Sequence, residues 1–200
     1  MRELYGGGVT ESLHRTHVTR DAHKRQPLAA YLTGETKVVH GHFHYEEIAE
    51  VKQAHDAKVI CWLRDPVERV ISNYHFFENG LTDPARNKKN YELNKHRKHE
   101  SLLTYATMPE KNNVMSKLLT GIDLADIFFI GFTEDYENDL SRLSNLLGWP
   151  EVTPAHLNTR RAPEGPTEEV TAEVRAEIAR LNAGDVALYR RALELKENAR

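Results

Sequence analysis

The stretch Val59–Phe77, VICWLRDPVERVISNYHFF, decides how this chain is read. It opens inside Lys58–Leu63 (KVICWL), a short run of β-branched, apolar and aromatic residues that predicts a strand. Asp65 then stands as an N-cap, with Pro66 at the first helical position and Glu68 at the third, a capping-box arrangement that predicts a helix straight after the strand. A strand that hands over to a helix through a sharp turn makes an anion site, because unpaired backbone N–H groups and the positive end of the helix dipole converge there. Arg64, at the carboxyl end of the strand, adds a planar fork for phosphate oxygens. Ser72 lies about two turns further on, where its hydroxyl reaches the same anion from the helix flank. A well-capped helix with a surface arginine accounts for the same residues without a ligand.

Two more runs have the character of Lys58–Leu63, namely Lys37–His40 (KVVH) and Asp126–Phe132 (DIFFIGF). All three are continuous rather than alternating, as strands buried on both faces are, and helical patterns separate them as parallel crossovers require. The expected class is therefore α/β, a parallel sheet with helices on both sides. In Thr133–Leu147 the apolar positions Tyr136, Leu140, Leu143 and Leu147 share one face, with Thr133 as N-cap and Gly148 as stop. Glu168–Asn182 places Val170, Val174, Ile178 and Leu181 inward, and Asp185 is expected to cap a last helix.

A length of 200 residues favours one domain, residues 1–200, large enough for a true core. With 40% hydrophobic and 28% charged residues the chain lies outside the composition of disorder, and its formal charge of -3 gives no overall attraction to nucleic acid or an anionic membrane. Any polyanion site must be local. One such patch is Arg86–His99 (RNKKNYELNKHRKH), six Lys or Arg against one Glu, expected as part of an exposed, mobile basic excursion over residues 81–112. Arg86, Lys88 and Lys89 are its candidate contacts to an acidic substrate, a solvated loop being the bland reading. The lone cysteine, Cys61, rules out an intrachain disulfide and a cysteine-based zinc motif and fits a reducing cytoplasm. No run approaches the roughly 20 consecutive apolar residues of a membrane span, and Met1–Gly8 has no apolar segment behind a basic start, so the chain reads as soluble and unexported.

The second constellation is Val38–Tyr45, VVHGHFHY. In an extended chain His40, His42 and His44 project from one face. Three imidazoles on one face fit a divalent metal site or acid/base chemistry, since histidine titrates near neutrality and its neutral form ligates zinc. Solvated histidines at a strand end fit equally.

Taken together, HGHFHY followed by a strand ending in LRDPVERVISNYHFF resembles the sulfotransferase superfamily, specifically the Golgi-type and bacterial branch that includes heparan sulfate 2-O-sulfotransferase. FFIGFTEDYENDLSRLSNLLG is similar to the late strand and helix of that family, and AHLNTR resembles the loop that closes over its nucleotide. The resemblance implies a three-layer, P-loop-like α/β fold with a central parallel sheet flanked by helices. It implies that Arg64 and Ser72 hold the 3′-phosphate of the sulfate donor PAPS, with His156, Leu157, Asn158 and Thr159 nearby. It also implies that His42 is the base for the acceptor hydroxyl, that His40 orients it or shares that role, and that no metal takes part.

The resemblance stops short at the N-terminus. The family begins with a central strand and a P-K-x-x-x-T loop whose Lys neutralises the leaving 5′-phosphate, and neither has a counterpart here. MRELYGGGVTESLH resembles the tail of the helix after that loop, with Gly6 as its C-cap, so Met1 is expected to be an internal or truncated start. The expected function is PAPS-dependent O-sulfation of a hydroxyl on a carbohydrate-type acceptor. A non-catalytic nucleotide-binding relative and a metal hydrolase built on His40, His42 and His44 are the alternatives.

Overall fold

The computed structural model describes residues 2–9, 13–14, 27–82, 88–150 and 170–198. The described strands are β1 (Leu13–His14), β2 (Gly41–His42), β3 (Ile60–Leu63) and β4 (Phe129–Phe132), and the described helices are α1 (Arg2–Tyr5), α2 (Ala49–His55), α3 (Pro66–Thr82), α4 (Lys88–Asn94), α5 (Leu102–Ala106), α6 (Val114–Leu118), α7 (Tyr136–Leu147), α8 (Ala172–Leu181) and α9 (Ala183–Asn198). The class is mixed α/β. Among the described residues the strands form two two-stranded sheets, β1 with β2 and β3 with β4, rather than one continuous sheet. The β1–β2 pair is parallel, with Leu13 opposite Gly41 and His14 opposite His42, and a parallel bridge joins Val9 to Val38. The expected strand Lys37–His40 is thus reduced to that bridge, and its pairing shifts to the two residues that follow. No helix among the described residues is long and apolar enough to cross a membrane.

The described residues gather into two compact units, one taking those within Met1–Trp62, Met115–Gly131 and Glu137–Val152, the other those within Leu63–Val114, Phe132–Tyr136 and Thr153–Arg200. In the first unit the Phe129 N–H donates to the Val59 carbonyl (3.3 Å), and the Trp62 ring lies directly over Gly131, where a side-chain carbon would come within 2.4 Å of it. β4 starts later than the apolar run does. The Asp123 carboxylate accepts the Ala125 N–H (2.8 Å) and turns Leu124–Asp126 into a 3-10 helix first. α7 buries Leu140 and Leu143, and it ends at Gly148 (φ 64°) with the Trp149 N–H on the Ser144 carbonyl (2.9 Å) and the Gly148 N–H on that of Asn145 (3.3 Å), a Schellman stop. Gly6 (φ 53°) follows α1 in the left-handed region as a helix-ending glycine does.

In the second unit Val70, Ile71 and Tyr74 of α3, Leu102, Tyr105 and Ala106 of α5 and Ile178 of α8 form one buried cluster, flanked by Val67, Phe77, Val170, Val174 and Leu181. Three expectations are corrected here. Part of the stretch 81–112 is core rather than excursion, because α5 presents three buried residues to α3. Within that stretch Lys88–Asn94 is helical, continued by a 3-10 turn over Lys95–Arg97, because i,i+3 pairs Lys95–Glu92 (2.7 Å) and Arg97–Glu100 (2.6 Å) hold side chains across successive turns. Asp185 does not cap α9 from outside. It is the third residue of that helix, fully buried, and Asn182 stands at the junction between α8 and α9.

Candidate active site

The turn between β3 and α3 is built as its sequence predicts, but its amides are already used. The Asp65 carboxylate accepts the Val67 N–H (2.9 Å) and the Glu68 N–H (3.0 Å), and the Asp65 carbonyl accepts the Arg69 N–H (2.8 Å). Pro66 has no N–H to offer. The helix N-terminus therefore presents no open row of donors, and the expectation that backbone amides would cradle an anion there is corrected. An anion at this place must be held by side chains.

The capping box is only half made. Glu68 does not reach back to the Asp65 N–H, because its carboxylate pairs with the Arg175 guanidinium of α8 at 2.7 Å. The Asp65 N–H donates instead to Glu134 Oε1 at 2.8 Å. Glu134 lies in the 3-10 turn Thr133–Asp135 that follows β4, so Thr133 opens a turn rather than capping α7. The second Glu134 oxygen accepts the Tyr189 O–H of α9 at 3.2 Å, and the Tyr189 ring stands edge-on to Phe132. Burial, followed by the charges of Glu134 and Asp65, raises the Tyr189 pKa, so the phenol keeps the proton it donates. Phe132, Glu134, Tyr189 and Lys196 line a cavity of about 190 Å³.

Arg64 and Ser72 are half-buried and belong to this same unit. Arg64 sits in the two-residue link between β3 and α3, and Ser72 lies on the stripe of α3 that runs from Asp65 through Glu68. A guanidinium and a hydroxyl are side-chain donors of the kind a phosphate needs once the amides are spent. The residues present thus fit a phosphate held by side chains.

The histidines belong to the other unit. His42 is exposed at the end of β2 and His40 is half-buried just before it. Between them Gly41 adopts φ 153°, which glycine reaches without a side-chain clash. His44 has a separate task. Its Nδ1 donates to the Lys117 carbonyl (3.0 Å), its backbone N–H donates to Glu47 (3.3 Å), and it opens the 3-10 turn Tyr45–Glu47. Among the described residues no group of three His, Cys, Asp or Glu is gathered to hold a metal ion, because the third imidazole is committed to that turn.

Lys88 is exposed at the first position of α4, and Lys89 follows it in the helix. Arg86 and the loop residues His156, Leu157, Asn158 and Thr159 lie outside the described residues. Sequence reasoning passed over Glu134, Tyr189 and Arg175. Glu134 had one signal, its place just after the carboxyl end of a strand, where ligand-facing residues of α/β sheets collect.

A family model described as the sulfotransferase domain matches residues 10–129. No curated protein and no solved structure matches the chain.

Proposed function

We propose, for a chain that belongs to the sulfotransferase family, that it transfers a sulfuryl group from PAPS to a hydroxyl of a carbohydrate-type acceptor. The observation that carries this reading is the extent of the family match, which takes in His40, His42, Arg64 and Ser72 together with the β3–α3 handover. The three-layer, P-loop-like arrangement and the kinship with the Golgi-type and bacterial branch belong to the same proposal.

PAPS supplies the sulfuryl group and leaves as adenosine 3′,5′-bisphosphate, the acceptor oxygen bonding to sulfur as the sulfur–phosphate oxygen bond breaks. Arg64 and Ser72 bind the 3′-phosphate through charge-assisted hydrogen bonds and so fix the donor. His42 takes the proton of the acceptor hydroxyl, a role worth about 10²–10⁴ in rate, and His40 orients or shares it. His156, Leu157, Asn158 and Thr159 complete the set of residues assigned to binding the nucleotide. Arg86, Lys88 and Lys89 attract an acidic acceptor without strict geometry. No residue of this chain is assigned to the 5′-phosphosulfate.

Calorimetric titration of adenosine 3′,5′-bisphosphate into the wild type and Arg64→Ala tests the donor site. Losing a charged hydrogen-bonding partner costs about 1.5–3 kcal/mol, so affinity should drop about 10- to 100-fold in the variant. Equal heats from both proteins, or none from either, would remove the donor site from this reading. Transfer of labelled sulfate from PAPS to a panel of oligosaccharides, abolished in His42→Ala, tests the reaction. Nucleotide binding without transfer to any acceptor would mark a non-catalytic relative.

A further inference from the structure

We propose that Glu134 is a positioning residue for the donor's 3′-phosphate, fixing through the Asp65 N–H the short link from which Arg64 is presented. The inference rests on the donor-site reading above and deepens it.

Arg64 stands in a link of two residues between β3 and α3, so the direction of its side chain follows from how firmly that link is held. Asp65, the other residue of the link, is hydrogen-bonded through its side chain, its carbonyl and its N–H. Its carboxylate takes the Val67 and Glu68 amides and its carbonyl takes the Arg69 amide, all within α3. Its N–H reaches a different element, and Glu134 Oε1 receives it at 2.8 Å. In an ordinary capping box the helix's own third residue makes this bond, and the turn is then fixed only relative to its own helix. Here Glu68 is turned away to Arg175, and the bond comes from the segment after β4. The carboxyl ends of both strands are thereby tied to each other next to Arg64.

The Glu134 carboxylate is held from its other side as well, by the Tyr189 O–H at 3.2 Å. One oxygen faces each donor, which leaves the carboxylate little freedom to rotate away. Both Glu134 oxygens are engaged by neutral donors, the Asp65 N–H and the Tyr189 O–H, so the carboxylate is held to those two groups. A phenol kept protonated by burial and by two neighbouring carboxylates is a donor that persists across the neutral range. Glu134 therefore acts on the phosphate through Arg64, without touching it.

The test is a coupling measurement with adenosine 3′,5′-bisphosphate as the probe, by calorimetry, on the full chain as wild type, Glu134→Ala, Glu134→Gln, Arg64→Ala and the Arg64→Ala/Glu134→Ala double variant. Glu134→Ala should lose about tenfold in affinity, Glu134→Gln, which keeps an acceptor oxygen, should stay within about threefold of wild type, and the double variant should bind no worse than Arg64→Ala alone. A residue that merely stabilises the fold gives losses that multiply in the double variant, and that result overturns the proposal. So does a Glu134→Ala protein that binds like the wild type. If Glu134→Ala fails to fold, Glu134→Asp keeps the charge and retracts it by one methylene. Its Asp65 amide should exchange faster by NMR and its affinity should drop about three- to tenfold, whereas faster exchange with unchanged affinity overturns the role. Absence of heat from the wild type defeats the donor-site reading itself, which is a different result from binding that is indifferent to Glu134.

Discussion

The Arg69 guanidinium of α3 lies 3.7 Å from the Asp185 carboxylate in the first turn of α9, and Asp185 is wholly withdrawn from solvent. The same Nη2 of Arg69 donates to the Lys111 carbonyl (2.8 Å) and to Asn182 Oδ1 (3.1 Å). Asn182 Oδ1 also accepts the Asn113 N–H (3.0 Å), and Asn113 Oδ1 accepts the Asp185 N–H (3.1 Å), so one polar network joins α3, the segment before α6 and the α8–α9 junction. Burial lowers the Arg69 pKa and Asp185 works against that shift. Both charges are out of water, and removing one strands the other. Asp185→Ala should therefore destabilise the protein by about 3–5 kcal/mol in urea denaturation, while the paired replacement Arg69→Met with Asp185→Leu should cost clearly less than Asp185→Ala alone. A double variant as unstable as the single one would show that the network matters for more than charge pairing.

Gly131 marks a close approach of backbone to ring. A methyl group there would lie 2.4 Å from Trp62 Cε3 and 2.5 Å from Cζ3. The ring is braced from the side by Phe129, with ring centres 6.1 Å apart. Gly131→Ala should cost about 1–3 kcal/mol as overpacking, read as a lower melting temperature, and Trp62→Leu in the same chain should return part of it by making room. An unchanged melting temperature in Gly131→Ala would mean that the ring shifts freely, contrary to the packing seen here.

What the sequence made legible is what a few neighbouring residues decide among themselves. Asp65 and Pro66 define the start of α3, Gly148 the end of α7 and Gly6 the end of α1, each through contacts within a turn. The partner of the Asp65 amide is 69 positions away in Glu134, and the partner of Glu68 is 107 positions away in Arg175. The local rule assigns that amide to Glu68, and only the tertiary pairing with Arg175 takes Glu68 out of the running. Asp185 is governed by a distant partner in the same way. It has the residue type of a cap but is drawn inward by Arg69. His44 looked like a third member of a histidine row and proved to be bound to a carbonyl 73 positions away.

Residues 102–106 pack into the core through Leu102, Tyr105 and Ala106. Leu102 is 2% exposed, in the cluster with Val70 and Ile71, and Ser101 caps its helix by accepting the Thr104 N–H at 3.1 Å. Leu102→Ala should cost about 2–5 kcal/mol, as removal of a buried leucine does, and the amides of Tyr105 and Ala106 should be protected from hydrogen exchange in the wild type. A mobile excursion would show neither effect.

Cys61 provides a reporter of packing in β3 through its pH dependence. Burial pushes its thiol from the ordinary value of 9.0 up to about 12. Between those two values the unfolded chain gives up the thiol proton while the native protein keeps it, so the native state binds more protons and stability declines as pH rises. The contribution is fully present below about pH 9 and is lost on the way to about pH 12. Other groups titrate in that range too, so the comparison is with Cys61→Ala, whose stability should decline less steeply with pH over the same interval. At pH 8 the thiolate fraction of the native protein is negligible, and Ellman's reagent should react with Cys61 only after denaturant is added. Rapid reaction in the native state at pH 8 would show that the strand opens to solvent, and an identical pH slope in Cys61→Ala would remove the thiol from the alkaline instability altogether.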